Sequence, residues 1–189
     1  MVPETIRFGG ERLQRLRPSD APAIFAAVDA DRAHLGRWLA WVEDSRTPAD
    51  TARFLESVEA KTQSGETLAF GIWRGAELLG LCGLHDISQA NGNAQIGYWL
   101  RSAATGAGVM TRAAGQLLAL GFQHLNLERI EIRAATENRK SWRVAERLGF
   151  QLEGVMRRAI RVPGGYADAR LYSLLRGEWL AQPSKSSAP

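Results

Sequence analysis

A glycine-rich turn lies between a strand pattern and a helix pattern in residues 95–111, QIGYWLRSAATGAGVMT. Apolar and other side chains alternate up to Leu100, which is typical of a strand, and a helical pattern begins at about Val109. The start of a helix presents unpaired backbone N–H groups and the positive end of the helix dipole, both of which favour an anion. Gly106 and Gly108 leave the backbone open to a phosphate group. The turn therefore predicts a diphosphate site, with a merely flexible surface turn as the alternative.

Two common phosphate-binding motifs do not match this turn. The GK[ST] sequence of the P-loop is absent from the chain. Thr111 stands where the dinucleotide motif GxGxxG needs a third small residue, and one strand–turn–helix unit does not make a βαβ array. Neither a P-loop nucleotidase nor a dinucleotide-binding fold is therefore expected.

Asn138 and Ser141 open a second helix pattern, which follows the alternating strand ERIEIRA at residues 128–134. Asn is a preferred N-cap residue, and a polar residue three positions later is a normal capping partner. The local pattern alone thus indicates a helix cap. Cys82 lies in the apolar run LLGLCGL and is interpreted as packed core, because a buried thiol without a base is inert.

The elements that position these residues follow from hydrophobic periodicity and turn residues, and they form one domain over residues 11–180. Further strands are expected at residues 13–17, 67–73, 77–85, 150–161 and 166–175. Further helices are expected at residues 18–30, 34–42 and 47–63. Residues 1–10 are expected to form a loose lead-in, and the polar tail 181–189 is expected to be disordered.

The expected helix at residues 34–42, HLGRWLAWV, is rich in aromatic surface. Its Trp38 and Trp41 are candidate substrate-binding residues, because tryptophan often lines binding clefts. A helix that simply packs on the core is the alternative interpretation.

Composition limits the class of protein. The chain has 189 residues, 45% of them hydrophobic and 23% charged, which fits one globular domain with a sizeable core. Its apolar runs are too short to span a membrane, its first residues lack an apolar signal core, and it has one cysteine. We therefore expect a protein of the reducing cytoplasm without internal disulfides. The net charge of +4 is scattered along the chain, which suits a phosphate-bearing ligand or an acidic partner and does not favour nucleic acid.

The order of these motifs resembles the GNAT acetyltransferases, and within them the branch that acetylates the N-termini of ribosomal proteins (Rim-type). The resemblance covers roughly residues 11–180 and is carried by IGYWL, GAGVMT, ERIEIRAATENRKS, AERLGF, LEGVMR and LYSLL. It implies a single α+β domain, whose mixed and mostly antiparallel sheet is splayed beside its central strand and flanked by helices. It also implies acetyl-CoA as cosubstrate, direct transfer in a ternary complex, no metal, and a homodimer as the family-based guess for the oligomeric state.

The resemblance assigns the glycine turn to the diphosphate of acetyl-CoA. The family motif at this turn is Gln/Arg-x-x-Gly-x-Gly/Ala. This chain departs from it with Thr105 at the first position, matches it with Gly108, and has Met110 at the last position, a residue common in the Rim-type branch. The cofactor is then expected on the backbone of six consecutive residues, Gly106, Ala107, Gly108, Val109, Met110 and Thr111. The pantetheine arm is expected to pair like an extra strand with the backbone of Trp99, Leu100 and Arg101.

The resemblance also gives Ser141 and Asn138 catalytic roles. Many relatives carry a tyrosine four residues after Ser141 as the acid that protonates the CoA thiolate, but this chain has Ala145 there. Rim-type relatives use a serine at the position of Ser141 instead, and the helix N-terminus would favour a developing thiolate by roughly 0.3–1 kcal/mol. Asn138 is expected to bind the pantetheine arm or a water, which is compatible with capping.

The sequence does not assign a general base. Relatives often carry Glu on the central strand where this chain has Gln95, which cannot accept a proton. Glu137, His85 and Asp86 are the remaining candidates, with the alternative that Glu137 is a solvated charge at a strand end and His85 a turn residue. Glu153 matches a frequent family residue and is expected to be structural.

Because no carboxylate base is assigned, we expect an acceptor amine that loses its proton easily at neutral pH. Neutralising a peptide α-amine, with a pKa near ~7.8, costs about 1 kcal/mol at pH 7, whereas a lysine amine near ~10.4 costs about 4–5 kcal/mol. The predicted function is therefore acetylation of a protein N-terminus. The alternatives are an acetyltransferase for a small amine (a polyamine, an aminoglycoside-like drug or a toxin) and a non-catalytic sensor of acyl-CoA.

Three basic residues stand near the predicted phosphate end of the site, Arg139, Lys140 and Arg143. One of them is expected to meet the 3′-phosphate of CoA. A solvated helix face explains the same three charges equally well.

Overall fold

The computed structural model describes residues 2–182, which fold around one eight-stranded sheet with the strand order β1-β2-β3-β4-β5-β6-β8-β7. The strands are β1 (Thr5–Phe8), β2 (Glu11–Arg15), β3 (Leu68–Arg74), β4 (Glu77–Ser88), β5 (Asn93–Leu100), β6 (Arg129–Ala135), β7 (Gln151–Val162) and β8 (Gly165–Leu175). The helices are α1 (Ala21–Asp29), α2 (Arg32–Leu35), α3 (Pro48–Gln63), α4 (Val109–Ala119), α5 (Arg139–Arg147) and α6 (Arg176–Ala181). Within this part of the chain, no helix is both long and apolar enough to cross a membrane.

The sheet is antiparallel except between β5 and β6. Strands β5 and β6 run parallel and pair only over Asn93–Gln95 and Arg129–Glu131. From there β5 continues to Leu100 against β4, and β6 continues to Ala135 against β8, so the two strands separate. This confirms the expected α+β fold, with a mostly antiparallel sheet that is splayed beside its central strand β5.

Helices cover both faces of the sheet, and the alternation of side chains along β5 decides which helices each residue meets. Tyr98 and Leu100 pack on the core cluster that contains buried residues of α4 and α5. Trp99 packs on a second cluster, which contains buried residues of α1, α2 and α3. We call these two sides of β5 the α4–α5 face and the α1–α3 face.

The expectation of a loose lead-in over residues 1–10 is wrong for Thr5–Phe8, which form β1 and pair with β2 in antiparallel register. Gly9 and Gly10 make the turn of this hairpin with φ angles of 47° and 86°, which favour glycine. Backbone pairing with β2 supplies the order of this strand, whereas its own side chains are at most half buried.

The single helix expected at residues 34–42 is also wrong. The chain forms the short helix α2 and then, after a break, a 3-10 turn at Ala40–Glu43. The guanidinium of Arg32 explains the break, because it donates to the carbonyl oxygens of Val42 at 2.8 Å and Ser45 at 2.5 Å. These contacts fold the end of the segment back onto its start.

The remaining predicted elements agree with the structure apart from their ends. Helix α4 begins at Val109, as predicted, and continues through a π-helical turn at Leu120–His124. The hairpins β3–β4 and β7–β8 occupy their expected positions. Helix α6 has no counterpart among the expectations. It contains Ala181, the first residue of the expected tail, and the tail from residue 183 onward lies outside the described residues.

Candidate active site

A cavity of about 430 Å³ lies where β5 separates from β6, beside the first turns of α4 and α5. Most of the predicted site residues line it: Trp38, Trp99, Leu100, Gly106, Gly108, Val109, Met110, Thr111, Asn138 and Ser141. Three predicted residues lie outside its lining, namely Trp41, Arg101 and Ala107. The guanidinium of Arg101 instead pairs with the carboxylate of Glu77 at 2.9 Å.

The glycine turn presents backbone at the N-terminus of α4. Gly108 is the N-cap residue of this helix with a φ angle of 72°, and Gly106 has a φ angle of 86°. Both angles favour glycine, and the space beside Gly106 that a Cβ would fill is open. No side chain of the described residues caps this helix end, so its first N–H groups can serve an external acceptor. The turn thus fits the diphosphate of a CoA molecule.

Two side chains hold the turn in place. Asp31, which follows α1, accepts hydrogen bonds from the backbone N–H of Ser102 at 2.5 Å and from its hydroxyl at 2.8 Å. Arg112 of α4 donates to the carbonyl oxygen of Ala107 at 2.9 Å and pairs with buried Glu11 at 3.1 Å. Because these contacts order the turn in the free protein, less entropy is lost when a ligand binds.

Asn138 and Ser141 lie together at the start of α5. Asn138 is the N-cap residue, and its side-chain oxygen accepts a hydrogen bond from the backbone N–H of Ser141 at 3.3 Å. The Ser141 hydroxyl donates to Tyr98 Oη at 3.2 Å, and the Tyr98 hydroxyl donates to the Ser141 carbonyl oxygen at 2.9 Å. All three residues line the cavity. The helix cap read from the sequence is therefore present, and it lies on the wall of the cavity.

Tyr98 and Ser141 form a pair of neutral hydroxyls. Burial raises the pKa of Tyr98 to about 12, although its hydrogen bond with Ser141 and the charge of Arg147 act in the opposite direction. A phenol that keeps its proton at neutral pH can orient a neighbouring hydroxyl and donate, but it cannot serve as a base. The α4–α5 face of β5 is thus suited to giving a proton to an anion.

Sequence reasoning did not place Tyr98 in the site. The alternation within IGYWL was the available signal, because it puts Tyr98 on the opposite side of the strand from Trp99. The contact between Tyr98 and Ser141 joins residues 43 positions apart, so only the packing of α5 on the sheet reveals it.

Positive charge surrounds the end of the cavity near the glycine turn. Lys140, Arg143 and Arg147 line it, and Arg147 Nε lies 3.1 Å from Thr111 Oγ1. Arg139, one of the three basic residues singled out from the sequence, lies outside the lining. The side of α5 that faces the turn therefore carries charge that suits phosphate groups.

The two candidate tryptophans occupy different positions. Trp38 lines the cavity, with the Arg37 guanidinium 5.5 Å from its ring centroid. Trp41 lies beyond the lining and packs on Trp99, with ring centroids 6.4 Å apart. Both belong to an aromatic wall beside the splayed end of β5.

The candidate bases differ in their surroundings. Glu137 is exposed just after β6, in keeping with a solvated charge at a strand end. His85 is not a turn residue as expected, because β4 runs on through it to Ser88. Its Nδ1 lies 3.1 Å from Asp86 Oδ2, and Gln95 donates to the same oxygen at 2.9 Å.

The Glu153 carboxylate and the Cys82 thiol both have structural surroundings. Glu153 accepts hydrogen bonds from Arg129 at 2.5 and 2.7 Å and from Ser173 at 2.6 Å. The Arg129 guanidinium above all, helped by Ser173, lowers the pKa of Glu153 to about 2. Cys82 is 3% exposed and burial raises the pKa of its thiol, which confirms the interpretation as packed core.

Comparison with known proteins gives one consistent family. The profile described as "Acetyltransferase (GNAT) domain" matches residues 12–151. The putative ribosomal N-acetyltransferase YdaF of Bacillus subtilis (strain 168) is 34% identical over 169 residues, which are 88% of this chain and 92% of YdaF. The ribosomal-protein-serine acetyltransferase of Escherichia coli (strain K12) is 28% identical over 171 residues, 90% of this chain and 96% of that protein.

A solved structure agrees with these sequence matches. RimL, a ribosomal L7/L12 alpha-N-protein acetyltransferase in complex with coenzyme A, superimposes with a TM-score of 0.87 at 26% identity. The match covers 91% of this chain and 98% of the RimL chain. The splayed sheet, the glycine turn before α4, and these matches together show that the chain belongs to the GNAT acetyltransferase family and is an N-acetyltransferase.

Proposed function

We propose that this enzyme transfers the acetyl group of acetyl-CoA to the N-terminal α-amine of a protein, by direct transfer in a ternary complex. One observation carries the proposal: a single cavity joins the open N-terminus of α4 to the Ser141–Tyr98 hydroxyl pair at the point where β5 and β6 separate. An anion site and a proton donor on one cavity wall are what a thioester of CoA requires.

Acetyl-CoA supplies the activated acetyl group, and this chain's residues hold it. The backbone N–H groups from Gly106 to Thr111 would bind the diphosphate, with Lys140 and Arg143 as the candidates for the 3′-phosphate. The separated end of β5, at Trp99 and Leu100, would pair with the pantetheine arm. Asn138 would contact the same arm from α5.

Ser141 is the proposed acid for the leaving sulfur. Its hydroxyl lies on the cavity wall at the N-terminus of α5, where the helix dipole favours developing negative charge. Tyr98 orients this hydroxyl from the other side. Cys82 takes no part, because it is buried in the core.

The chemistry of the amine and the identity of the relatives favour a protein N-terminus as acceptor. An α-amine is neutralised at pH 7 for about 1 kcal/mol, several kcal/mol less than a lysine amine. YdaF and the ribosomal-protein-serine acetyltransferase match most of this chain and are named for action on ribosomal proteins. Trp38 and the Trp41–Trp99 pair would form the wall against which the acceptor binds.

The assignment carries two further proposals about the protein in the cell. An enzyme that acetylates ribosomal-type proteins would work in the cytoplasm. The homodimer that the family suggests is tested by light scattering coupled to gel filtration, where a monomer of 20.8 kDa is the contrary result.

Ligand-induced thermal shift tests the cofactor. At a hundred times its Kd, acetyl-CoA should stabilise the protein by about 2.7 kcal/mol. For a chain of this size, the melting temperature should rise by roughly 5–10 °C. ATP and NAD at the same concentration should produce no comparable rise, and an equal rise with ATP would show that the turn is not specific for CoA.

Thiol release from acetyl-CoA tests the acceptor. Synthetic peptides with N-terminal serine or alanine should support turnover. The same peptides with a blocked N-terminus and one internal lysine should not, because their lysine amine is harder to neutralise. Faster turnover with spermidine than with any peptide would favour a small-molecule amine. Binding of acetyl-CoA without turnover on any amine would favour a sensor.

A further inference from the structure

Three polar side chains meet at a bulge in the pairing of β4 with β5, outside the lining of the cavity. Asp86 Oδ2 lies 3.1 Å from His85 Nδ1 and accepts a hydrogen bond from Gln95 Nε2 at 2.9 Å. His85 and Gln95 are direct partners in the β4–β5 register. The histidine is therefore held on one nitrogen, while its Nε2 has no hydrogen bond to any described residue in this arrangement.

The backbone of Asp86 is left-handed where it makes these contacts. Its φ angle is +51°, a left-handed value that non-glycine residues seldom adopt, and the register of β4 with β5 shifts between His85 and Ser88. Bulges of this kind re-aim side chains and are over-represented beside active sites.

The imidazole lies over the central strand on the α1–α3 face. A Cβ built on Gly97 would approach His85 Cδ2 and Nε2 to 3.1 Å, so the ring lies close above the backbone of Gly97 and a larger residue there would crowd it. Gly97 comes two residues after the last pairing of β5 with β6, at the start of the separation that forms the cavity. His85 shares its face with Trp99, and its side chain is 43% exposed.

Acid and base would thus stand on opposite faces of the same strand. Tyr98 and Ser141 lie on the α4–α5 face, and His85 lies on the α1–α3 face one residue away along β5. Direct transfer requires a proton to leave the amine and a proton to reach sulfur, and two separate groups can serve these two steps. Imidazole is the side chain whose ordinary titration falls nearest to neutral pH, which suits a general base.

We propose that His85 is the general base for the acceptor amine and that Asp86 is its positioning residue, a proposal that rests on the acetyltransferase function above. In this proposal Asp86 Oδ2 accepts the proton carried by Nδ1, which leaves the lone pair of Nε2 directed away from Asp86. Gln95 fixes the carboxylate. Its amide supplies a donor there, so the residue contributes to the site without accepting a proton.

The step balances without any further reactant. The amine nitrogen forms a bond to the acetyl carbon, and the bond from that carbon to sulfur breaks with its electron pair on sulfur. The proton released by the amine goes to His85 Nε2 and then to solvent. The sulfur takes a proton from Ser141 Oγ, which recovers one from solvent, so the products are the acetylated amine and the free thiol of CoA.

The first test is His85→Ala in the full-length protein, assayed by thiol release from acetyl-CoA with the best of the serine and alanine peptides. The kcat should fall about 100-fold, the range expected for loss of a general base, while the acetyl-CoA-induced thermal shift is unchanged. Added imidazole should restore part of the lost rate. His124→Ala is the matched control, because His124 is exposed at the far end of the α4 segment and should leave kcat unchanged.

Asp86→Asn tests the positioning role. Asparagine tolerates the left-handed backbone and keeps the size of the side chain, so the substitution removes the charge with little change in folding. The kcat should fall by less than in His85→Ala, and the KM for acetyl-CoA should stay the same. A purely structural role for Asp86 would lower the melting temperature and leave kcat intact.

The outcomes separate this proposal from the proposed function. If the wild-type protein acetylates no amine, the acetyltransferase assignment to these acceptors fails and the base fails with it. If the wild type is active and His85→Ala retains its kcat, the function stands and His85 is not the base. Loss of activity that imidazole does not restore, accompanied by a weaker acetyl-CoA shift, would also overturn the proposal, because the histidine would then serve only the fold of the cavity.

Discussion

The two faces of β5 differ in burial and in the kind of proton chemistry they can support. On the α4–α5 face, Tyr98 and Ser141 share two hydrogen bonds, and burial raises the pKa of the tyrosine to about 12. On the α1–α3 face, the more exposed His85 is paired with a carboxylate. One face presents neutral donors in a packed setting, and the other presents an ionisable ring near solvent.

In the proposed mechanism, this difference lets one strand separate the two proton transfers of a direct acetyl transfer. Residues adjacent along a strand point to opposite sides, so the proposal assigns Tyr98 to the sulfur and His85, which lies over Gly97, to the amine. The strand has a free backbone edge between them because β6 leaves it after Gln95. The substitutions below break or sharpen this comparison, beginning with the largest expected effect.

Ser141→Ala should have the largest effect on the α4–α5 face. Loss of the proposed acid should lower kcat about 100-fold or more, because a positioned proton donor typically contributes at least that much. Steady-state kinetics measures the loss, and the thermal shift with acetyl-CoA should persist because the glycine turn is untouched. Ser64→Ala, at the exposed end of α3, is the control. An unchanged kcat in Ser141→Ala would show that Ser141 is not the acid, and the proposed difference in proton chemistry between the two faces of β5 would then fail.

Gly106→Ala should weaken acetyl-CoA binding by about 10-fold and leave the proton chemistry alone. The residue has a φ angle of 86°, so alanine adds strain of roughly 1–2 kcal/mol and a methyl group where the diphosphate would lie. Gly164→Ala is a matched control, since Gly164 has a φ angle of 81° and equally open surroundings in the β7–β8 turn. Isothermal titration should show weaker binding in the first variant only. Equal affinities would mean that the turn is not the diphosphate site.

Tyr98→Phe should have a smaller effect, because the phenol acts through Ser141. The substitution removes the hydroxyl that accepts from Ser141 Oγ, and one such bond contributes about 0.5–1.5 kcal/mol. The kcat should therefore fall about 3- to 10-fold with an unchanged KM for the peptide. Tyr166→Phe, on a tyrosine that is 60% exposed, should have no effect. A loss as large as in Ser141→Ala would make Tyr98 itself the acid.

Local patterns in the sequence predict the glycine turn and the start of α5, on the α4–α5 face, better than they predict the surroundings of His85. The order of strand, glycine turn and helix around Gly106, and the Asn138–Ser141 cap, depend on residues close together in the chain. These features could therefore be predicted from residue propensity and spacing. Burial of Cys82 followed from its apolar neighbours in the same way.

The other side depends on contacts that no local pattern encodes. The sequence predicts a turn at His85, whereas the bulge at Asp86 and the position of the ring over Gly97 arise only when β4 pairs with β5. The segment after α2 was interpreted as a helix because the Arg32 contacts to Val42 and Ser45 are tertiary. Positions that depend on pairing register or on long-range side-chain contacts thus could not be predicted from the sequence, whereas positions that depend on helix ends could.

The smallest effect on activity is expected from Glu153→Gln, which separates a structural carboxylate from the proposed base. The pKa of Glu153 is lowered from its ordinary value of 4.5 to about 2, chiefly by Arg129, so the group is ionised at neutral pH and cannot retain a proton there. The kcat at pH 7.5 should therefore match the wild type.

The contribution of the ionised Glu153 carboxylate to folding stability is fully present above its unfolded-state pKa. It is lost as the pH falls through about 2, because the proton then binds the folded protein as well. Urea unfolding should accordingly show the variant to be less stable than the wild type at pH 6, with a gap that narrows by pH 2.5. If Glu153→Gln instead lost as much turnover as His85→Ala, the base would lie on β7, and the division of labour between the two faces of β5 would not hold.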